Sequence, residues 1–193
     1  MAAGQKKNES AVKKQVHLGQ ADLPCRSLAD AMRVPKALMD AFAGAPTPPH
    51  QVALAVKLSP TSSTWRDLLA ASAGYGLTKG TKNAVRIELT DLGKKLVAPK
   101  SDGDDAIAIG EAVVQPTIMG GFLRKYDKAK FPPDVIAQNV LMQDFGVPKD
   151  RLETTLQHIK ENAQLAGFLK ETPGRGMFVA IDTPEPSATA LAS

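Results

Sequence analysis

The fold is decided by one stretch in the first half of the chain, residues 61–96, which reads TSSTWRDLLAASAGYGLTKGTKNAVRIELTDLGKKL. Trp65, Leu69 and Ser72 recur at i, i+4 and i+7, the spacing of a helix with one buried face. A glycine-bearing segment follows, and after a polar turn residues 85–89 alternate apolar and polar side chains as a half-buried strand does. The stretch therefore predicts a helix that runs into a two-stranded ribbon.

Two shorter helices are predicted ahead of this one. Apolar residues within 37–42 indicate the first, and those within 52–58 indicate the second. The second starts after the pair Pro48-Pro49, because proline suits the first helical turn, and it stops at the breaker Ser59-Pro60-Thr61. Three helices followed by a two-stranded ribbon is the order of a winged helix. A generic α+β domain with the same order of elements is the alternative.

The same order of features occurs twice, in residues 33–97 (the first repeat) and residues 116–182 (the second repeat). The second repeat has its own proline pair, Pro132-Pro133, and its own ribbon turn at residues 173–176. Its third helix carries Leu152, Leu156 and Ile159, which we expect to match Trp65, Leu69 and Ser72 of the first repeat.

The fold class predicted is mostly α with small β-wings (α+β), arranged as two tandem winged-helix domains. The expected divisions are a basic flexible N-terminal tail (1–27), winged-helix domain 1 (28–98), an acidic linker with a connecting helix at about 105–115 (99–116), winged-helix domain 2 (117–182) and a flexible C-terminal tail (183–193).

The string Leu89-Thr90-Asp91-Leu92-Gly93-Lys94-Lys95-Leu96 resembles the end of many bacterial winged-helix regulators, in which the second wing strand finishes in a Leu-Thr-x-x-Gly-x-x-Leu turn and helix. Thr90 is suited to cap a short helix whose Leu92 and Leu96 fold back on the core. Residues 28–181 also resemble a bacterial family of tandem winged-helix proteins, through Trp65-Arg66 and Gly74-Tyr75-Gly76-Leu77-Thr78. The resemblance implies the fold and no particular activity.

Composition excludes several classes of protein. The 193 residues are 43% hydrophobic and 23% charged, which is ordinary for a globular chain, and the single cysteine excludes a disulfide framework. The net charge is +4, which allows a polyanion as partner. Aromatic residues make up only 5%, so stacking platforms for single-stranded nucleic acid are not expected.

The chain ends and the apolar runs give no sign of a membrane. The basic N-terminus has no apolar segment behind it, so it is not read as a secretory signal. The longest apolar run, residues 106–123, is interrupted by Glu111, Gln115 and Pro116. We expect a soluble protein of the cytoplasm, in the bacterial cytoplasm or nucleoid, with no membrane partner.

Double-stranded DNA is the partner that the first repeat favours. Residues 36–98 hold eight Lys or Arg residues against four Asp or Glu, and the third helix and the ribbon carry many of them. A winged helix presents the N-terminal part of its third helix to the major groove and its ribbon to the flanking phosphates. The DNA-binding residues predicted are Ser62, Ser63, Thr64, Arg66, Lys79, Lys82 and Arg86 in the first repeat, with Arg151 and Arg175 in the second.

Each of these residues also has a structural interpretation. Ser62 or Ser63 can simply cap the helix, and lysines on a ribbon keep an exposed hairpin soluble; for Trp65 we expect a place in the core. The second repeat is close to neutral, with nine bases and eight acids in residues 117–182, so we expect it to serve a homodimer or a protein partner. Lys6, Lys7, Lys13 and Lys14 of the N-terminal tail either add nonspecific affinity for DNA or are inert.

No enzyme is indicated. His17, His50 and His158 stand in unrelated contexts, no Cys or carboxylate spacing completes a metal site, and Cys25 has no base among its neighbours. We therefore expect no catalytic residue, no metal and no cofactor. The function predicted is a non-enzymatic double-stranded DNA-binding protein, a transcriptional regulator or a DNA-handling accessory factor. The competing functions are a tandem winged-helix protein-interaction module or adaptor subunit, and a small-molecule sensor.

Overall fold

A computed structural model describes residues 18–174 and 176–181 of the chain, and Arg175 and both ends lie outside it. The described part is mostly helical with two small antiparallel sheets. Its elements are α1 (Leu28–Ala31), α2 (Arg33–Phe42), α3 (Pro49–Ala55), α4 (Ser63–Gly74), β1 (Thr78–Lys79), β2 (Glu88–Leu89), α5 (Asp91–Val97), α6 (Asp104–Val114), α7 (Thr117–Lys125), α8 (Asp134–Gln143), α9 (Leu152–Leu165), β3 (Leu169–Thr172) and β4 (Gly176–Val179), with a 3₁₀ turn at Lys149–Arg151.

Both repeats have the order of three helices and a two-stranded ribbon. In each, the residue just before the proline pair adds a third, short piece to the ribbon. Thr47 N donates to Ile87 O at 3.0 Å, and Phe131 N donates to Met177 O at 2.8 Å. The residue before a proline is pushed toward extended backbone, so the proline pair sets up this pairing and then opens the next helix.

The ends of the third helices show how the repeats correspond. Leu77 N donates to Ser72 O at 3.0 Å after α4, and Phe168 N donates to Ala163 O at 2.8 Å after α9. The two bonds lie 91 residues apart, which places Trp65 over Leu156. The expected match of Trp65 with Leu152 is wrong by one helical turn, because α9 begins two residues earlier than α4 in this correspondence and follows directly on the 3₁₀ turn at Lys149–Arg151.

Two groups of buried side chains form the core. The smaller group lies within the first repeat and includes Trp65, which is 1% exposed as the core interpretation requires. The larger group crosses between the repeats and includes Tyr75 and Leu77 from the first with Phe122 and Phe168 from the second. The repeats therefore share a core instead of packing separately.

A buried hydrogen-bond network lies in this shared core. Asn162 Oδ1 of α9 accepts from Leu28 N at 2.8 Å, and Asn162 Nδ2 donates to the Tyr75 hydroxyl at 2.9 Å. That hydroxyl donates to Arg26 O at 2.9 Å. Burial raises the pKa of the Tyr75 phenol well above its usual range, so the group stays a neutral donor.

Residues 18–27, which we assigned to the tail, pack between the repeats; we call them the strap. Leu23 is 1% exposed, and its carbonyl accepts from Arg151 Nη2 at 3.3 Å. The strap carbonyls of Ala21 and Asp22 accept from the first two residues of α7, Thr117 and Ile118. The first 17 residues of the expected flexible tail, and the C-terminal tail after residue 181, lie outside the described residues.

The string that resembles winged-helix regulators forms the predicted cap and helix. Thr90 Oγ1 accepts from Gly93 N at 2.9 Å and donates to Gly76 O at 2.6 Å. Leu96 is buried and Leu92 packs against the larger core group. Gly93 is needed because a Cβ there would lie 2.0 Å from Leu77 O, so α5 approaches the ribbon backbone as closely as only glycine permits.

Three local features depart from the simplest interpretation of the sequence pattern. Leu54 in the second helix of the first repeat is 63% exposed, and Val135 and Ile136 of α8 are also exposed, so those apolar residues do not all enter the core. The linker helix α6 has no side-chain cap. Instead the Asp104 carboxylate accepts from the backbone N–H groups of Lys100 and Ser101.

No single helix in the described ranges is long and apolar enough to cross a membrane. Only together do α6 and α7 reach the length and apolar composition of a span, and the two helices are bent by 98° at the break between them.

Candidate nucleic-acid interface

The start of α4 is built by the segment before it. Ser62 Oγ accepts from Trp65 N at 3.1 Å and donates to Ser59 O at 2.8 Å, so this hydroxyl is occupied in capping. Ser63 and Thr64 are exposed in the first turn, since Trp65 turns the opposite face of the helix into the core. Of the three predicted hydroxyl contacts, two thus face outward and one holds the helix in place.

Arg66 and Lys82 line the same groove, which has a volume of about 360 Å³ and lies between α4 and the β1–β2 loop. We call it the α4–ribbon groove. Leu69, Ala70 and Ala73 also line it, so its walls are largely made of small and apolar side chains. Gln20 and Ala21 of the strap complete the lining. Sequence spacing predicted the two cations but could not show that the strap borders them.

The Arg66 guanidinium is close to an acidic neighbour. Its Nε lies 3.5 Å from Asp67 Oδ1, and the two side chains are 55% and 36% exposed. An exposed ion pair of this kind contributes little, about 0–1 kcal/mol, because water and salt screen it. Arg66 can therefore exchange this contact for a phosphate or a guanine edge at small cost.

The ribbon presents its remaining charges on one exposed side. Lys79 lies opposite Glu88 on the neighbouring strand, and Ile87, the residue before Glu88, is buried. Arg86 is exposed two residues before Glu88, so it lies on the same side of the strand. Because directly opposite positions bring side chains close together, Glu88 offsets part of the Lys79 charge, and Lys82 and Arg86 are left as the stronger contributors.

A second groove of about 330 Å³ runs on the other side of the ribbon loop. Its lining includes Pro48, Pro60 and Val85, and Lys82 belongs to this groove as well. Val85 is 85% exposed at the tip of the loop. Lys82 thus stands between two grooves on a projecting loop, where a large partner can reach it from either side.

The second repeat presents different chemistry at the equivalent helix face. Under the 91-residue correspondence, Arg66 matches Gln157, and the same exposed face of α9 carries Glu153, Glu161 and Gln164. Gln157 Nε2 donates to Glu161 Oε1 at 2.8 Å. Two carboxylates on that face repel phosphate, so the two third helices are unlike in charge although they are alike in fold.

Of the two arginines predicted in the second repeat, the structure describes only Arg151, and that residue is engaged elsewhere. Arg151 donates to the strap carbonyl of Leu23 and is half-buried. Arg175 lies outside the described residues. Two bases at the end of α7 are also engaged. Arg124 Nη2 donates to Val114 O at 3.2 Å, and Lys125 is paired with Asp144, whose hydrogen bond raises the pKa of that lysine.

Residues 18–174 and 176–181 offer no cluster of three or more His, Cys, Asp or Glu side chains that could hold a metal ion. Cys25 is half-buried, and burial followed by the nearby Asp67 charge raises the pKa of its thiol. The same desolvation lowers the pKa of His158 on α9. A thiol with a raised pKa is a poor nucleophile at neutral pH.

Comparison with known proteins adds no relative: no family model, no curated protein and no solved structure matches the chain.

Proposed function

We propose that the chain is a tandem winged-helix protein that binds double-stranded DNA through its first repeat. The observation that carries the proposal is that Arg66 of α4 and Lys82 of the ribbon border one groove, beside exposed hydroxyls and further exposed bases. The contact residues proposed are Ser63, Thr64, Arg66, Lys79, Lys82 and Arg86. No cofactor enters the proposal.

The shape of this region suits a duplex. The exposed first turns of α4 offer short polar side chains and one arginine, the groups that contact phosphates and read guanine in the major groove. The ribbon projects beside them with Lys82 and Arg86, in position to meet flanking phosphates. The six proposed contact residues thus come from two adjoining elements, α4 and the ribbon.

The second repeat takes no direct part in DNA binding in this proposal. Glu153 and Glu161 occupy the face of α9 that corresponds to the DNA-binding face of α4. Arg151 is left out because its guanidinium holds the strap.

A protein-interaction module is the second candidate, and exposed apolar side chains favour it. Val135, Ile136 and Met142 of α8 are 72%, 51% and 39% exposed. Val135 and Met142 are seven residues apart and so lie on one face of the helix. An apolar helix face of this kind suits a homodimer or another protein chain, which the second repeat can bind whether or not the first repeat binds DNA.

The test is a fluorescence-anisotropy titration of duplex DNA at several salt concentrations. The double variant Arg66→Ala with Lys82→Ala should weaken binding and reduce the slope of log K against log salt by up to about 1.8, because each lost phosphate contact accounts for about 0.9. The matched control, Lys100→Ala with Lys149→Ala, removes the same charge from exposed sites elsewhere and should leave the slope unchanged.

Nonspecific DNA binding has dissociation constants of about 1–100 μM. If the full chain shows no salt-dependent binding at protein concentrations in that range, the DNA proposal fails. Sedimentation of the same sample, compared with the variant Val135→Ser with Met142→Ser, then tests the second candidate. A self-association that this variant abolishes supports the α8 face as a protein interface.

A further inference from the structure

The floor of the α4–ribbon groove is apolar and built from short side chains. Ala70 and Ala73 follow Arg66 by four and seven residues, so the three share one face of α4, and Leu69 borders that face. The volume of about 360 Å³ is within the range of small-molecule sites. At about 30 Å³ for each water-sized group, the groove holds roughly a dozen non-hydrogen atoms.

The wall that the strap contributes is held by backbone contacts. A Cβ on Gly74 would lie 2.3 Å from Gln20 O, so the strap approaches α4 as closely as a glycine allows. Thr117 N donates to the next strap carbonyl, Ala21 O, at 3.2 Å. This side of the groove is therefore formed before any ligand enters, and a preformed site loses little affinity to ordering.

The wall that the ribbon contributes places a cation beside the start of α4. Ala84 N donates to Thr81 O at 3.0 Å, which closes a turn with Lys82 at its second position. Lys82 also borders Trp65 in the second groove, so it lies near the first turn of α4. Arg66 belongs to the same turn. Both cations thus lie toward one end of the α4–ribbon groove.

The groove is polarised along α4 as a result. Ala73, on the apolar floor, lies seven residues or roughly 10 Å along the helix from Arg66. None of the described residues that line the groove is acidic, and the Asp67 next to Arg66 forms only the exposed, screened ion pair. A complementary ligand has one negatively charged head group and an elongated apolar body.

DNA alone leaves this floor unfilled. A duplex presents phosphates, sugars and base edges, and the thymine methyl is the apolar group of its major groove. These groups can engage Arg66 and Lys82, but they do not cover the surface at Ala70 and Ala73. Removing that surface from water favours a ligand that carries apolar surface of its own.

We propose that the α4–ribbon groove binds a small amphipathic carboxylate, an unbranched acyl chain of about ten carbons, with the carboxylate between Arg66 and Lys82 and the chain on the apolar floor. The planar guanidinium of Arg66 suits a carboxylate because it can bind both oxygens at once. The same two cations contact the duplex in the proposed function, so the ligand and DNA exclude each other. This exclusion rests on the proposed function, whereas binding of the ligand does not.

Isothermal titration calorimetry with decanoate tests the site on the full chain. The dissociation constant should be on the order of 100 μM, as expected for a ligand of this size. Arg66→Ala with Lys82→Ala removes the partners of the carboxylate and should raise the constant about tenfold or more. Ala73→Leu fills the floor without changing the charge and should also raise it about tenfold or more, since the acyl chain loses its place.

Two controls make the result specific to the groove. Ala41→Leu is the same substitution at an exposed position of α2 and should bind decanoate as the full chain does. Decyltrimethylammonium has the same chain length and the opposite charge, and it should bind far more weakly. Equal decanoate affinity in Ala73→Leu and the full chain, equal affinity for the two ligands, or no binding at millimolar decanoate overturns the site.

Anisotropy of a labelled duplex measures the exclusion. Decanoate should release the duplex from the full chain, sodium acetate at the same concentration should not, and Ala73→Leu should need much more decanoate. Decanoate that binds without releasing the duplex contradicts the exclusion. A chain that binds decanoate but no duplex supports the site and removes the proposed function. A chain that binds duplex but no decanoate overturns the inference and leaves the proposed function standing.

Discussion

Replacing Asn162 with alanine should destabilise the whole described fold, because this side chain bonds α9 to the first repeat. The Leu28 N–H, which Asn162 Oδ1 accepts at 2.8 Å, would lose its acceptor at a fully buried site. A buried donor left without a partner costs about 1–3 kcal/mol. The Tyr75 hydroxyl would keep Arg26 O as its acceptor, so its loss is smaller.

The volume removed adds to this cost. Asn162 is 1% exposed, and a small cavity at such a site costs on the order of 1 kcal/mol. The expected change in unfolding free energy is therefore about 2–4 kcal/mol. Tyr75→Phe, which keeps the ring and removes only the hydroxyl, should cost about 1–2 kcal/mol.

Urea unfolding gives the measurement, with circular dichroism for the helices and fluorescence for Trp65, the only tryptophan of the chain. With a slope of about 2 kcal/mol per molar urea, the midpoint should fall by about 1–2 M in Asn162→Ala. The matched control is Gln157→Ala on the exposed face of α9, which should change stability by less than about 0.5 kcal/mol.

Trp65 makes the test informative because it belongs to the smaller core group, inside the first repeat. If the core shared between the repeats couples them, the Trp65 transition shifts together with the helix signal although the substitution lies in the second repeat. A Trp65 transition that stays at its original midpoint while the helix signal splits would refute the reasoning, since the repeats would then be independently stable.

Two further predictions concern single positions. Gly93→Ala should destabilise the first repeat by about 1–3 kcal/mol, because the added Cβ would meet Leu77 O and α5 would have to move. The control Lys94→Ala on the same helix should be nearly neutral. Equal thermal unfolding midpoints for the two variants would contradict this prediction. Burial lowers the pKa of His158, so the unfolded state takes up a proton more readily than the folded state. The free energy of unfolding should therefore fall as the pH drops below about 6.5. Urea titrations across pH 5–7 should show a weaker pH dependence for His158→Gln than for the unchanged chain.

The order of elements was predictable from local signals. Helical spacing at Trp65 and Leu69, the proline pairs and the alternation of residues 85–89 each depend on near neighbours, and the three helices and the ribbon turn occur where these signals put them. The expected strand over 85–89 is shorter than the alternation indicates, because β2 covers only Glu88–Leu89 and Val85 is 85% exposed. The correspondence of the third helices was not predictable to the residue. A one-turn shift preserves the apolar face, so only the backbone bonds at the helix ends decide it.

Contacts between distant parts of the chain were the main omission. Asn162 looked like one more polar residue on a helix, and residues 18–27 lack helical or strand periodicity, so nothing local showed that Asn162 and Leu23 are buried at the boundary between the repeats. The same limit applies to the interface. Arg66 and Lys82 were predicted individually, but the groove that joins them also needs Gln20 and Ala21, which come from a segment with no charge signal of its own.

The bond between Leu28 and Asn162 spans 134 residues, and this has a consequence for synthesis on the ribosome. At about 5–20 residues per second, roughly 7–27 s pass between the appearance of the donor and that of its acceptor. During that interval the smaller core can close around Trp65, but Tyr75 and Leu77 have no second repeat to cover them. The nascent first repeat therefore exposes its apolar side until the second repeat has been synthesised, and this is the stage at which a chaperone would protect the chain from aggregation.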